Sequence, residues 1–254
     1  MKKWVWRFAT RDTRGNRARL ALFVASMVLG VAALVSINSF GDNLRAAIDE
    51  EAKTLLGADL SIESGNPFNE RTEAVIDSLG GIQSRRTSFA SMAYFPRTGD
   101  SRLVTVRGNE PGFPFYGAVE TDPPEAANTY LETGGALIDG TLMQQFGVAV
   151  GDSMRIGNVS YHVEGRLLQT PRESAAVMLF SPRVYVPLAR VDSALLAVGS
   201  RADYEVYFRF EDERDADAAI DPLRAELREY RVGADTIEEE RENWDEALTN
   251  LYRF

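Results

Sequence analysis

No cysteine occurs in the 254 residues, which excludes a disulfide framework, a thiolate metal site and a cysteine nucleophile. Histidine occurs once, as His162 in VSYHVEG, so no paired-histidine metal centre can form. A lone histidine on a strand reads as an ordinary structural position. Lysine is confined to Lys2, Lys3 and Lys53, and no G-x-x-x-x-G-K-[ST] occurs, so a P-loop nucleotide site is excluded. G-x-S-x-G and H-E-x-x-H are also absent. The acids around Asp212, Asp215 and Asp217 lack the glycine and closing glutamate of a calcium loop and read as a solvated helix face. No catalytic constellation remains, and the expectation is a protein that is not an enzyme.

What is present is a 22-residue stretch without charge, residues 20–41, LALFVASMVLGVAALVSINSFG. As a helix rising about 1.5 Å per residue it would measure roughly 33 Å, enough for a bilayer core. Its leucines and valines favour insertion, and three serines and two glycines are too few to reverse that. The alternative is a buried helix of a soluble domain. Before the stretch, Lys2, Lys3, Arg7, Arg11, Arg14, Arg17 and Arg19 face a single acid, Asp12, for a net charge of +6. The whole chain carries −10, so the remainder holds 21 basic against 37 acidic side chains. Basic flanks stay cytoplasmic, which predicts an N-terminus inside and residues 42–254 periplasmic or extracellular. A cleaved signal peptide is the rival, but the apolar core is long and no small-residue cleavage site follows. The acidic outer part argues against nucleic acid.

Trp4, Trp6 and Phe8 alternate with basic residues, as an interfacial helix or simply an aromatic, basic flank would. Ser26, Gly30 and Ala33 fall on one helical face, which suits close packing against further membrane helices or arises by chance. From Asp42, Leu44, Ile48, Ala52 and Leu55 recur at helical spacing up to Gly57, so a stalk helix over 42–57 is expected. A surface helix of the outer domain would look the same.

Beyond Gly57 the pattern is β-α-β. Residues 58–62 read as a strand, and Asn66-Pro67 opens a helix over 69–79, stopped by Gly80-Gly81. Residues 88–95 and 102–108 flank PRTGDS as a hairpin. The loop GFPFYG carries Phe113, Phe115 and Tyr116, placed either to touch substrate or lipid headgroups or to pack on the core. After a DPPE linker, residues 136–168 give strand, short helix and two further strands, and 183–188 another strand. Residues 204–210 alternate as a strand, and an acidic helix follows in which Asp221-Pro222 is a start or a kink. Thr236 and Glu239 have capping-box spacing. Ile237, Trp244, Leu248 and Leu251 continue helically to Phe254, so the expectation is a piece of a longer chain, returning along the first stalk.

Residues 9–44, together with LLGADLSI, SFASMAYFP, GFPFYG and ALIDGTLMQQFGVAVGDSMRIG in that order, resemble permease subunits of the MacB/FtsX class of ABC transporters, nearest the YbbP-like group. The resemblance implies an α+β fold: one transmembrane helix and stalk, then a porter-like part at 58–118 and 200–232. It also implies a β-rich subdomain inserted at 128–190 and a second stalk at 236–254, leading toward a further transmembrane helix. It implies, too, a cytoplasmic ATPase partner, a second or homologous permease copy, an inner-membrane location and no cofactor. Mechanical coupling of ATP hydrolysis to the outer domain would follow, with an amphipathic or lipid-like cargo. A single-pass envelope sensor or scaffold with a periplasmic binding domain is the alternative.

Overall fold

The computed structural model describes residues 17–169, 182–197, 201–212, 214–240 and 242. The uncharged stretch and the residues after it form one helix, α1 (Arg17–Leu56), 40 residues long. The helix runs through Gly41 and Asp42, neither of which interrupts it. Its window Ala21–Phe40 is long and apolar enough to cross a membrane, with mean hydropathy 2.2. Leu22, Phe23, Leu29 and Ile37 are each about 70% exposed, as lipid-facing side chains would be. Gly57 ends the helix at φ +69, where only glycine is free of strain, and donates its N–H to the Lys53 carbonyl at 2.8 Å. The chain divides near Asp49 into two units, the second running from Glu50.

Ten strands form its sheet: β1 (Leu60–Ser64), β2 (Ile82–Phe95), β3 (Asp100–Asn109), β4 (Glu120–Asp122), β5 (Ala136–Asp139), β6 (Ser153–Ile156), β7 (Val159–Gln169), β8 (Arg183–Pro187), β9 (Ala202–Arg209) and β10 (Gly233–Thr236). One end is open and antiparallel, in the order β10-β1-β9-β2. Three helices cover one face of this open end: α2 (Glu70–Ser78), α5 (Arg214–Ile220) and α6 (Arg224–Glu229). Alternation sends Leu60, Ile62, Val206 and Phe208 to that face, where they pack with Ile76, Ile220 and Leu227. Asn69 starts α2 by accepting from the N–H groups of Arg71 (3.0 Å) and Thr72 (2.8 Å). Asp221-Pro222 sits in a 3₁₀ turn between α5 and α6, because proline removes the donor that would continue the helix.

At its far end the sheet closes on itself. β2 pairs β3, β3 pairs β8, β8 pairs β5, β5 pairs β7, β7 pairs β6, and β6 returns to β2 at Ala93 and Tyr94. This six-stranded ring encloses Ala93, Phe95, Val104, Met154, Val163 and Val184. Helix α4 (Gly140–Phe146) plugs it, with Leu142 buried and Phe146 stacked on Phe95 at 5.0 Å. The segment 128–190 therefore shares one core with the hairpin β2–β3, which supplies two of the ring's six strands. β5 and β8 are buried on both faces, since helix α3 (Ala126–Thr133) lays Ala126 and Tyr130 over Leu137, Leu167 and Tyr185.

Three local features depart from expectation. The DPPE linker leads into α3, whose residues are modest helix formers held by burial of one face. β2 begins at Ile82 rather than 88, because the polar run Gln83–Thr87 finds partners on neighbouring strands. β10 is an additional edge strand, and Thr236 both ends it and caps the helical turn at 237–240. The Thr236 N–H reaches Glu239 Oε2 at 3.3 Å, and the Glu239 N–H reaches Thr236 Oγ1 at 3.4 Å, which is the capping box. Of the rest of the expected helix at 236–254, only residue 242 lies within the described residues, and it is helical.

Candidate functional site

β1 and β10 are antiparallel neighbours, with Leu60 opposite Thr236. The residues that enter β1 from α1 and those that leave β10 therefore lie at the same end of the sheet. Leu56 (1% exposed) and Ile237 (4% exposed) meet there, with Tyr116 against both. Arg224 of α6 fixes the outgoing turn, bonding Glu239 at 3.0 Å and the Ala234 carbonyl at 3.2 Å.

Asp59 sits between these parts and is 1% exposed. Its Oδ1 accepts the Tyr116 hydroxyl at 2.7 Å, and its Oδ2 accepts the Phe210 N–H at 2.7 Å. Its own N–H donates to the Phe208 carbonyl at 2.9 Å. A carboxylate so buried is tolerable only with such charge-assisted bonds. The Gly57 carbonyl accepts from the N–H groups of Phe115 (2.8 Å) and Tyr116 (3.4 Å). A Cβ at Gly57 would stand 3.0 Å from the Phe113 ring.

Phe113 stacks on Tyr207 of β9 at 3.9 Å between ring centroids. Both rings also contact the Arg86 guanidinium, at 5.0 Å for Phe113 and 4.8 Å for Tyr207. Arg86 is buried, and Glu205 opposite it on β9 accepts from Nε at 2.5 Å and Nη2 at 2.9 Å. The Tyr207 hydroxyl accepts from Nη2 as well. Burial works to lower the Arg86 pKa, but Tyr207 and Glu205 outweigh it, and the guanidinium is held above its ordinary value. It is a fixed charge, suited to bracing a sheet rather than to proton transfer.

Of the residues singled out from sequence, Phe113, Phe115 and Tyr116 come together here, half-buried against the fold, with Arg209 over the Phe115 ring at 5.5 Å. Lys2, Lys3, Arg7, Arg11 and Arg14 lie outside the described residues; Arg17 opens α1 and Arg19 is exposed on it. Ser26 donates to the Phe23 carbonyl of its own helix at 2.8 Å, a Cβ at Gly30 would meet nothing within 4 Å, and Ala33 is exposed. His162 is exposed on β7. Among the described residues no three His, Cys, Asp or Glu side chains gather to hold a metal ion. Sequence reasoning missed Asp59, Arg86, Glu205 and Tyr207. The signal was faint: charges inside otherwise strand-like runs, ADLSI, QSRRT and YEVYF.

Fold and site define an α+β domain in which residues 56–59, the loop at 112–117 and strands β1, β2 and β9 meet in buried bracing contacts. Residues 20–226 match the MacB-like periplasmic core domain, and the chain belongs to that family. It carries the periplasmic domain of an ABC transporter permease type. The ABC transporter permease YbbP of Escherichia coli K12 is 21% identical over 208 residues, or 81% of this chain. The chain matches 24% of that relative's length. Among solved structures, the periplasmic region of MacB from Actinobacillus actinomycetemcomitans is similar at 12% identity, with 77% of this chain and 97% of that one covered and a TM-score of 0.47. The extracellular domain of the noncanonic ABC-type transporter YknZ from Gram-positive bacteria is similar at 16% identity, with 66% and 94% covered and a TM-score of 0.39.

Proposed function

We propose that the chain is part of a permease subunit that converts ATP hydrolysis by a cytoplasmic partner into movement of its periplasmic domain. The carrying observation is the shared exit: α1 enters β1 and the capped turn leaves β10 side by side, with Leu56 against Ile237. A domain held by two adjacent helical segments at one end is driven by whatever moves those segments. ABC permeases as a class work with an ATPase, which supplies the cytoplasmic partner. The +6 flank before the apolar stretch supports an N-terminus inside the inner membrane and an outer domain beyond it. Ser26, Gly30 and Ala33 then pack against other helices of the permease or of its second copy. Phe113, Phe115 and Tyr116 serve the coupling, and the cargo is an amphipathic or lipid-like molecule to be exported or extracted.

Inserting Gly-Gly between Ala46 and Ala47 in the full-length permease, co-purified with its ATPase and cargo, tests the transmission. ATP hydrolysis is expected to continue while cargo transfer is lost, since two glycines soften a helical rod. Unchanged transfer would remove the transmitting role and leave a sensor or scaffold. Cysteine pairs placed across 50–56 and 237–242 are expected to form disulfides readily; failure at every offset would refute the paired segments.

A further inference from the structure

Residues 112–117 touch several of the elements that meet at the base of the domain. They bond the carbonyl of Gly57, just after α1, through Phe115 and Tyr116, Asp59, just before β1, through Tyr116, and they cover the face of β9 and β2 through Phe113 on Tyr207 and Arg86. Tyr116 also packs on Ile237 beyond β10. We propose that this loop is a mechanical clasp, holding the last turn of α1, the sheet and the outgoing turn as one rigid body. The purpose of the clasp, though not its rigidity, rests on the transmission role proposed above.

The physical need comes from Gly57. A glycine at φ +69 between a helix and a strand is a natural swivel, because it moves through conformations closed to other residues. A swivel at that point would absorb a push from α1 before it reached β1. Two N–H donors fix the Gly57 carbonyl from one side, and the Phe113 ring occupies the space on the other. Both Asp59 oxygens are engaged and buried, so the anchoring bonds are charge-assisted and shielded from water. Phe113 is itself pinned by the Tyr207–Arg86–Glu205 brace, so the clasp bears on strands in the middle of the open sheet rather than on its edge. Sequence expectation allowed substrate or headgroup contact for these aromatics; the clasp gives each a fixed structural partner.

The test uses the whole permease with its ATPase in lipid nanodiscs. Spin labels go on Thr54→Cys and Asp100→Cys; these 254 residues hold no cysteine, and any elsewhere in the permease is replaced by serine. A second pair on Asp100→Cys and Glu229→Cys reports the domain alone. Pulsed dipolar spectroscopy should show one narrow distance for both pairs, with and without ATP and vanadate. Tyr116→Phe and Asp59→Ala should cost the first pair its single narrow distance and leave the second unchanged. Should Asp59→Ala fail to fold, the milder Tyr116→Phe still decides. A narrow first pair in Tyr116→Phe, a broad first pair in the unaltered protein, or broadening of both pairs together would each overturn the clasp. Transmission is judged separately by the Gly-Gly insertion: harmless insertion with an intact narrow distance refutes transmission and leaves the clasp standing.

Discussion

Tyr116→Phe removes one hydroxyl and little else, so its cost can be worked from the structure. The lost bond is 2.7 Å long and ends on a carboxylate that is 1% exposed. Hydrogen bonds to charged groups contribute about 1.5–3 kcal/mol, and the orphaned Asp59 oxygen cannot reach water, so a loss of about 2 kcal/mol is expected. The ring still packs against Leu56 and Ile237, which keeps the cavity term small. For a domain of this size about 2 kcal/mol lowers the thermal midpoint by roughly 4–8 °C. Asp59→Asn should cost less. Its amide oxygen can keep the Phe210 N–H, and its NH₂ can donate to the Tyr116 hydroxyl, which accepts as well as donates. In the double variant that NH₂ loses its acceptor, so the two changes should couple by about 1 kcal/mol rather than add. The assay is thermal unfolding of the whole chain in detergent, followed by the sheet signal in circular dichroism. A midpoint unchanged in Tyr116→Phe, or a larger loss in Asp59→Asn than in Tyr116→Phe, would refute the bonding scheme.

Glu205→Leu should destabilise the domain by about 3–5 kcal/mol, because Arg86 is left as a buried charge without its carboxylate. Adding Arg86→Met should restore much of the loss in urea titrations, and a double variant no better than the single one would show that the brace is not the cause. Gly165→Ala places a methyl 2.5 Å from the Ala126 Cβ and should cost about 1–3 kcal/mol by overpacking, with faster amide exchange across α3 than across α2. Equal exchange in both helices would contradict that packing. Asp192 accepts from the N–H groups of Ala194 (3.0 Å) and Asn158 (3.1 Å), which hold its carboxyl below the ordinary aspartate range. Because the folded value is the lower one, any stability it contributes is complete above the unfolded value and lost as pH falls through the folded one. Carboxyl NMR should find its midpoint below that of an exposed aspartate; a midpoint at the exposed value would sink the assignment.

Much of the architecture was legible in the chain because it rests on local rules. The apolar stretch, the helix after Asn66-Pro67 with Gly80-Gly81 to stop it, the PRTGDS turn and the Thr236–Glu239 box each depend on neighbours within a few residues, although Asn69 rather than Asn66 supplies the cap. The strand start at Ile82 and the helix α3 were hidden for the opposite reason. Gln83–Thr87 looks like a loop until Glu205 and Tyr207 stand beside it, and AANTYLET helix becomes stable only by burying Ala126 and Tyr130.

The sequence by itself determined the long apolar helix, its basic flank and the α+β succession, since composition and periodicity carry those without knowledge of the fold. Only the tertiary structure decided that β6 returns to β2 and closes a ring, and that β1 and β10 bring Leu56 to Ile237. It alone set Asp59, Tyr116, Phe113 and Arg86 around one glycine. Those contacts join residues far apart in the chain, and strand pairing, which no local spacing encodes, is what places them together.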